Sequence, residues 1–317
     1  MGIIDIDSLG KYFPVKRRAF SKQAWLKAVD GVTFSIRDGA VFALVGESGS
    51  GKSTVARLIL RLIHPTSGRI LFRGEDIQAF RGPSLRAFRK SVQIIFQDPF
   101  ASLNPRMSVF DTVSEPLKIH KLCKKAEMKD TVVALLNSVG LQADVLHHHP
   151  HEFSGGQRQR ICIARALAVS PQVLVADEPL SALDVSIQAQ ILNILQDLQQ
   201  RSHISFLFIS HDLRVVQYFS DEVAVMYLGK IVEQARTEEL FSNPLHPYTE
   251  ELLASAPQLR PQAKKRGILK GDAPSPIDIP PGCTFHPRCP KRFDLCDRFP
   301  PQMQERSGRF VACHLYS

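Results

Sequence analysis

The sequence predicts an α/β fold with a mostly parallel sheet. The run AVFALV has the composition of a buried strand and leads through a glycine-rich turn into a helical pattern. Further runs rich in Val, Ile and Phe alternate with helical patterns; they are VQIIFQ, VLVADE, SFLFIS and EVAVMY. Continuous apolar runs suit strands that are buried on both faces, and alternation with helices is typical of parallel sheets. These observations together predict the fold class.

Composition and the N-terminal segment limit the class of protein further. The chain has 317 residues, 44% of them hydrophobic, and a formal net charge of +9. Positive charge suits an acidic ligand, a nucleic acid or an anionic membrane surface, so by itself it decides little. The acidic start MGIIDIDS differs from a secretory signal, and no run approaches the roughly 18 apolar residues of a spanning helix. We therefore expect a cytosolic chain that associates with membranes only peripherally.

A phosphate-binding pattern follows the first strand run. Residues 46–53, GESGSGKS, match G-x-x-x-x-G-K-[ST] between a strand and a helix whose apolar face extends to Leu62. Glycines let several backbone N–H groups point into one concavity, Lys52 can bridge the outer phosphates, and Ser53 can offer its hydroxyl to Mg²⁺. We name residues 46–54 the phosphate loop. Its predicted nucleotide-binding residues are Gly46, Glu47, Ser48, Gly49, Ser50, Gly51, Lys52, Ser53 and Thr54.

Two carboxylates end a later strand run, VLVADEP. Asp177 is placed to hold Mg²⁺, usually through water, and Glu178 is placed to polarise the attacking water. A positioned general base of this kind contributes roughly 10²- to 10⁴-fold to a rate. An ordinary acidic strand end is the alternative interpretation, which the phosphate loop upstream makes the weaker one.

The stretch FSGGQRQR predicts a second anion site. Ser154 is a natural N-cap for the helix that follows, and Gly155 and Gly156 leave the first N–H groups of that helix uncovered. Taken alone, the run SGG is better interpreted as a flexible turn. Two distant helix N-termini in one subunit cannot reach the same nucleotide, so the sequence favours two subunits arranged head to tail around each nucleotide.

In this order, the three motifs resemble those of ATP-binding cassette (ABC) ATPases, which have a P-loop NTPase fold of the ABC type. Helical periodicity between IIFQ and HEFSGG fits the inserted helical subdomain of that fold, at about residues 98–165. The resemblance implies that Gln97 senses the nucleotide, binds Mg²⁺ with Ser53 and Asp177, and couples to membrane domains. It further implies that Glu178 and His211 are catalytic, His211 by contacting the γ-phosphate. The remaining nucleotide-binding residues that it implies are Ser154, Gly155, Gly156, Gln157 and Asp184.

An aromatic side chain should stack on adenine in such an ATPase. By resemblance this residue is Phe13, which we expect just before the first strand, with Tyr12 as the less favoured choice. A core position for Phe13 is the alternative.

The resemblance narrows to the ATPase subunits of bacterial dipeptide and oligopeptide permeases, over essentially the whole chain. The stretches that support it are FQDPFASLNPRM, DEPLSALDVSIQAQILN, HPYTEELLASAP and the cysteine-rich end. It implies an ABC ATP-binding domain at residues 1–240 and a C-terminal extension at residues 241–317. SALDVS resembles the second of two different ATPase subunits.

The resemblance also implies partners, location and mechanism. The partners are a paralogous ATPase subunit, two membrane-spanning permease subunits and a periplasmic or lipid-anchored substrate-binding protein, with no nucleic acid. The chain would act peripherally at the cytoplasmic face of the bacterial inner membrane. ATP binding would close the dimer, and hydrolysis through Glu178 would reopen it to energise the uptake of peptides.

Other functions stay open. Nickel, glutathione or antimicrobial peptides are alternative cargo, because specificity lies in the other subunits. A soluble ABC-type ATPase acting on ribosomes or DNA is less favoured, since the chain has one cassette and no sustained heptads. A metal-cluster protein that uses the cassette only as a scaffold is disfavoured by the intact Lys52, Glu178 and His211.

Four of the six cysteines lie in the last 35 residues, which we name the cysteine tail (residues 283–317); they are Cys283, Cys289, Cys296 and Cys313. A cytosolic location argues against disulfides. The spacing C-x5-C-x6-C-x16-C lacks the close cysteine pair of common zinc sites, so zinc is disfavoured. Four thiolates can hold a 4Fe-4S cluster, and the resemblance to permease ATPases implies one here. Reduced cysteines with a structural role are the remaining alternative.

Overall fold

The structure, a computed structural model, describes residues 2–15, 24–255 and 274–317. Its strands are β1 (Ile4–Val15), β2 (Ala24–Ile36), β3 (Val41–Val45), β4 (Ser67–Phe72), β5 (Glu75–Asp76), β6 (Val92–Ile95), β7 (Val173–Asp177), β8 (Ser205–Ile209), β9 (Glu222–Tyr227), β10 (Lys230–Arg236), β11 (Gln304–Arg306) and β12 (Arg309–Val311). Its α-helices are α1 (Lys52–Ile59), α2 (Gly82–Ser91), α3 (Pro99–Ser102), α4 (Val109–His120), α5 (Met128–Ser138), α6 (Gly155–Leu167), α7 (Val185–Ser202), α8 (Leu213–Phe219), α9 (Thr237–Ser242), α10 (Pro247–Ser255) and α11 (Asp294–Arg298). Short 3₁₀ turns span Ala143–His147, Pro150–Glu152 and His314–Tyr316.

The described residues form two compact units. The first unit holds the described residues of Met1–Arg37, Val41–Gln78 and Ser210–Ser317, and the second holds Asp38–Ala40 and Ala79–Ile209. The predicted division of the chain at residue 240 stays a prediction, and residues 256–273 of the predicted extension lie outside the described residues. None of the helices in the described ranges has the length and apolar character that crossing a membrane requires.

The first unit contains more antiparallel pairing than the sequence predicts. Strands β2, β1, β4 and β5 form an antiparallel sheet in that order, and β9 pairs antiparallel with β10. Buried and exposed positions largely alternate along β2 from Val29 to Ile36, as expected where one face of a sheet meets the core. Such alternating strands lack the continuous apolar run on which the parallel prediction depends.

The strand and helix around the phosphate loop lie in this first unit. Every residue of β3 is buried, and β3 pairs parallel with β9, so the runs AVFALV and EVAVMY form strands as predicted. The predicted helix forms as α1, but it is shorter than expected. It ends at Ile59, and the chain turns at Arg61, whose φ is 53°. Leu62 is 59% exposed, so its predicted place on the apolar face of this helix is wrong.

The second unit contains the other predicted parallel strands. β6, β7 and β8 lie side by side in parallel register, with Val92 opposite Val173 and Val173 opposite Ser205. Helices α3 to α6 lie between β6 and β7 in the chain, in the segment where helical periodicity is observed. The limits of the helical subdomain, about residues 98–165, stay a prediction.

The end of the chain extends the sheet of the first unit. β12 pairs antiparallel with β10 and with β11, placing Val311 opposite Glu233. Glu233 is fully buried, and its carboxylate accepts hydrogen bonds from Arg309 Nη2 at 2.8 Å and from the backbone N–H groups of Leu245 and His246 at 2.9 and 2.8 Å. A buried charge needs such compensation, so this network fixes the cysteine tail on the unit.

Candidate functional site

The phosphate loop passes from β3 into α1 through closely packed glycines. Gly46 and Gly51 have φ angles of 146° and 109°, which L side chains rarely adopt. A Cβ at Gly46 would lie 2.1 Å from the carbonyl oxygen of Met226, and one at Gly51 would lie 2.1 Å from that of Ala28. No side chain caps the N-terminus of α1, which begins at Lys52. A glycine-lined loop that ends in an uncapped helix N-terminus is suited to phosphate.

Lys52 is held inside the phosphate loop. Its side chain is 4% exposed, and its ammonium donates to the carbonyl oxygens of Gly46 and Glu47, both at 2.8 Å. The hydroxyl oxygen of Ser50 accepts a third hydrogen bond at 3.3 Å. A buried ammonium needs such oxygen partners, and phosphate oxygens offer the same chemistry with full negative charge.

Glu47 contacts two residues far away in the chain. Its backbone N–H donates to the hydroxyl of Tyr248 at 2.9 Å, and its carboxylate accepts two hydrogen bonds from Arg288, both at 3.0 Å. Tyr248 and Arg288 are not among the site residues that the sequence predicts, although Tyr248 lies in the stretch HPYTEELLASAP that supports the resemblance. No motif signals a partner 201 or 241 positions away.

Two other predicted residues lie in the first unit. Phe13 lies inside β1, opposite Leu26, so the expectation that it precedes the first strand is wrong. The antiparallel pairing with β2 extends β1 through it, and the ammonium of Lys11 lies 5.1 Å from its ring centroid. His211 is exposed beside Asp212, which caps α8. The stacking role of Phe13 and the catalytic role of His211 stay predictions.

In the second unit, parallel register brings Gln97 and Glu178 together. Ile95 of β6 lies opposite Ala176 of β7. Gln97 lies two positions after Ile95, and Glu178 lies two positions after Ala176. The side-chain amide of Gln97 donates to Glu178 Oε2 at 3.1 Å. Asp177 is the last residue of β7, so all three side chains belong to the carboxyl end of the strands, where α/β proteins bind their ligands.

The backbone of Glu178 is in an unusual conformation. Its φ is 49°, in the left-handed region that costs a non-glycine residue roughly 1–2 kcal/mol. Its N–H donates to the carbonyl oxygen of Ile209 at 2.9 Å, and its own carbonyl oxygen accepts from the N–H and hydroxyl of Ser181. Strained residues held by their surroundings are concentrated at functional sites, where they fix the direction of a side chain.

Ser154 to Gln157, which we name the signature loop, forms the predicted helix start. Ser154 caps α6: its hydroxyl accepts from the N–H of Gln157 at 3.4 Å, and Gln157 Oε1 accepts from the N–H of Ser154 at 3.0 Å. Gly156 has a second reason to be glycine, because a Cβ there would lie 2.4 Å from Ile187 of α7. Asp184 is the N-cap residue of α7, the helix that Gly156 of α6 approaches.

Arg158 of α6 is buried, although it is not among the site residues that the sequence predicts. Its guanidinium donates to the carbonyl oxygens of Pro150 and His151 at 2.5 and 3.3 Å, and it stacks on Phe100 at 3.6 Å from the ring centroid. These contacts fix the segment that enters the signature loop. The alternation of Gln and Arg in GGQRQR gives no sign of which arginine is buried.

The four cysteines of the cysteine tail are free thiols, and three of them are buried. Burial, reinforced by the other three thiols of the tail, raises the pKa of Cys283 to about 11. Burial also raises the pKa of Cys289 and of Cys313. In the described part of the chain, however, no group of three or more His, Cys, Asp or Glu side chains is arranged to hold a metal ion. The geometry therefore does not support the predicted 4Fe-4S ligand set.

Comparison with known proteins gives two family matches and a set of close relatives. Residues 29–181 match the family model described as ABC transporter, and residues 232–296 match the one described as oligopeptide/dipeptide transporter, C-terminal region. The oligopeptide transport ATP-binding protein AppF of Bacillus subtilis is 49% identical, with 99% of this chain and 98% of that protein covered. The dipeptide transport ATP-binding protein DppF of Escherichia coli is 45% identical, with 96% and 92% covered.

Solved structures agree with this relationship. A dimeric ATP-binding cassette in a post-hydrolysis state, bound to ADP and Pi, matches with a TM-score of 0.65 and 25% identity, over 74% of this chain and 98% of that one. CbiO1 from Clostridium perfringens matches with the same TM-score of 0.65 and 29% identity, over 76% of this chain and 91% of that one. The chain therefore belongs to the ABC transporter family, as an ATP-hydrolysing transport ATPase with the C-terminal region of oligopeptide/dipeptide transporters.

Proposed function

We propose that this chain is the ATP-hydrolysing subunit of an importer of dipeptides and oligopeptides. The single observation that supports this cargo class is the oligopeptide/dipeptide C-terminal region at residues 232–296, on a chain that matches peptide-transport ATPases over 96% to 99% of its length. A soluble ABC-type ATPase acting on ribosomes or DNA would have no evident use for that region.

The chemistry of the site supports the proposed hydrolytic roles. The phosphate loop binds the ATP phosphates through its backbone N–H groups and through Lys52, which exchanges loop carbonyl oxygens for phosphate oxygens. Glu178 orients the attacking water and accepts its proton, because its strained backbone and the hydrogen bond from Gln97 fix the carboxylate. His211 contacts the γ-phosphate, and Phe13 stacks on adenine. The signature loop and Asp184 act on the nucleotide of the opposite subunit.

The oxygen atoms of Ser53, Gln97 and Asp177 fit the preference of Mg²⁺ for hard oxygen ligands. Because the amide nitrogen of Gln97 donates to Glu178, its amide oxygen is the atom left to act as a ligand. Bound Mg²⁺ would neutralise charge on the phosphates during transfer.

The proposed assembly contains a paralogous ATPase subunit, two membrane-spanning permease subunits and a substrate-binding protein, periplasmic or lipid-anchored. Within it, the chain lies at the cytoplasmic face of the inner membrane and associates peripherally. When the ATPase dimer closes, Gln97 and the helical segment that follows it transmit the movement to the permease subunits.

Deleting the gene for this chain from its host is expected to abolish ATP-dependent uptake of a labelled dipeptide or tripeptide. Re-expressed wild-type protein should restore uptake, and the Glu178→Gln variant should not. Uptake of radioactive nickel and of labelled glutathione is measured in the same strains. Unchanged peptide uptake together with lost nickel or glutathione uptake would replace the proposed cargo.

For the cysteine tail, we propose the 4Fe-4S cluster as a finer assignment. Four cysteines in one short region support it, and their spacing disfavours zinc. Binding requires the thiols to converge and to lose their protons.

Protein purified without oxygen is expected to contain about four iron and four sulfide per chain, with a brown colour that air bleaches. The matched variant is Cys289→Ser, which should lose the iron, whereas Cys162→Ser in α6 should keep it. Iron-free protein from the anaerobic preparation would contradict the assignment, and stoichiometric zinc would replace it.

A further inference from the structure

A partly buried ion pair joins the cysteine tail to the phosphate loop. Arg288 Nη1 donates to Glu47 Oε2 and Arg288 Nη2 donates to Glu47 Oε1, both at 3.0 Å. The Arg288 side chain is only 6% exposed, and that of Glu47 is 24% exposed. Such two-point pairing of guanidinium and carboxylate fixes orientation as well as distance. The carboxylate of a phosphate-loop residue is therefore held from outside the cassette motifs.

The backbone of Glu47 is held as well. Its N–H donates to the hydroxyl of Tyr248, which is itself fully buried. The ring of Tyr248 packs on Tyr227 and Phe285 at centroid distances of 4.6 and 5.3 Å. Both the main chain and the side chain of one loop residue are thus attached to the same aromatic cluster.

The segment that presents Arg288 is well braced. The N–H of Cys283 donates to the carbonyl oxygen of Cys296, and the N–H of Arg288 donates to that of Phe285. Phe285 is fully buried between Tyr227 and Tyr248, and the Arg288 guanidinium lies over the rings of Tyr227 and Phe285. A braced donor transmits a shift of its own loop to its partner, because packed interiors resist continuous deformation.

We propose that Arg288 is a positioning residue for ATP binding. Arg288 acts through Glu47: it holds the Glu47 carboxylate, while Tyr248 holds the Glu47 backbone N–H. Arg288 thereby sets the conformation of the phosphate loop. This inference rests on the proposed role of the phosphate loop.

The test compares two arginines of the same segment by a conservative exchange. Arg292 pairs within the tail, with Asp297 at 3.0 Å, and both partners are more than one third exposed, so Arg292→Lys is the matched control for Arg288→Lys. Lysine keeps the charge but cannot bind both carboxylate oxygens in the same geometry. Full-length protein is titrated with MgATP by calorimetry, and its KM and kcat for ATP are measured beside its melting temperature.

Arg288→Lys is expected to raise Kd and KM for ATP at least about fivefold, the lower end of coupling between distinct sites, with kcat at saturating ATP retained. Arg292→Lys should bind ATP like the wild type. Glu47→Gln breaks the pair from the loop side, and it should raise Kd similarly. In the double variant the two effects should not add, because both remove one interaction.

An unchanged Kd in Arg288→Lys or in Glu47→Gln would overturn the proposal. So would additive effects in the double variant, or a fall in melting temperature with Kd unaltered. The Lys52→Ala variant distinguishes failure of the proposed phosphate-loop function from failure of the coupling between Arg288 and Glu47. If Lys52→Ala still binds ATP, the proposed role of the phosphate loop fails; if only the Arg288 and Glu47 variants bind normally, the coupling alone fails.

Discussion

The Glu178→Gln variant is expected to hydrolyse ATP about 10² to 10⁴ times more slowly than the wild type, while it still binds ATP. Glutamine has nearly the same size as glutamate and can still accept the hydrogen bond from Gln97 through its amide oxygen. It cannot take a proton from water. The left-handed backbone at residue 178 does not change, so the loss isolates the chemistry of one carboxylate.

The measurement is ATP turnover in the assembled transporter, with MgATP binding titrated on the same preparation. Glu238→Gln, at an exposed position in the first turn of α9, is the matched control and should hydrolyse ATP at the wild-type rate. A Glu178→Gln variant with turnover near that of the wild type would remove Glu178 from the role of general base. A variant that fails to bind ATP would instead indicate that this carboxylate organises the site.

The features that sequence could predict depend on residues close together in the chain. The phosphate loop is a contiguous pattern, and β6, β7, β8 and β9 lie in short runs rich in Val, Ile and Phe. Ser154 could be identified as a helix cap from its neighbours alone, because capping is a local hydrogen bond. The contact between Gln97 and Glu178 needs the further knowledge that β6 and β7 are adjacent, which periodicity does not supply.

The features that sequence could not predict depend on long-range packing. Arg288 and Tyr248 meet Glu47 across 241 and 201 positions, and each is a single residue without a pattern of its own. Phe13 is part of β1 because β1 continues its pairing with β2 as far as Phe13 and beyond, with Phe13 opposite Leu26. This pairing depends on tertiary structure and not on the local sequence. The cysteine tail shows the same limit, since spacing alone does not determine where the thiols point.

The Arg309→Met variant is expected to lower the free energy of unfolding by about 3–5 kcal/mol, the usual cost of leaving one partner of a buried ion pair alone. Glu233 is fully buried, and Arg309 is the cationic side chain that hydrogen-bonds to its carboxylate. The two backbone N–H groups that also donate to this carboxylate bring no net charge. Methionine fills a similar volume, so the loss reports the missing charge and hydrogen bonds, including the one that Arg309 Nη2 donates to the carbonyl oxygen of Asn243 at 2.6 Å, and not a cavity.

Urea denaturation of the full-length chain measures this effect. Arg306→Met is the matched control, because Arg306 lies opposite Arg309 in the same hairpin but is exposed, where ion pairs and hydrogen bonds contribute at most about 1 kcal/mol. The double variant Arg309→Met with Glu233→Gln removes the buried charge as well, so it should be more stable than Arg309→Met alone. Equal losses in Arg309→Met and Arg306→Met would contradict the argument. A double variant less stable than Arg309→Met would show that the backbone hydrogen bonds to Glu233, and not its pairing with Arg309, hold the end of the chain on the sheet.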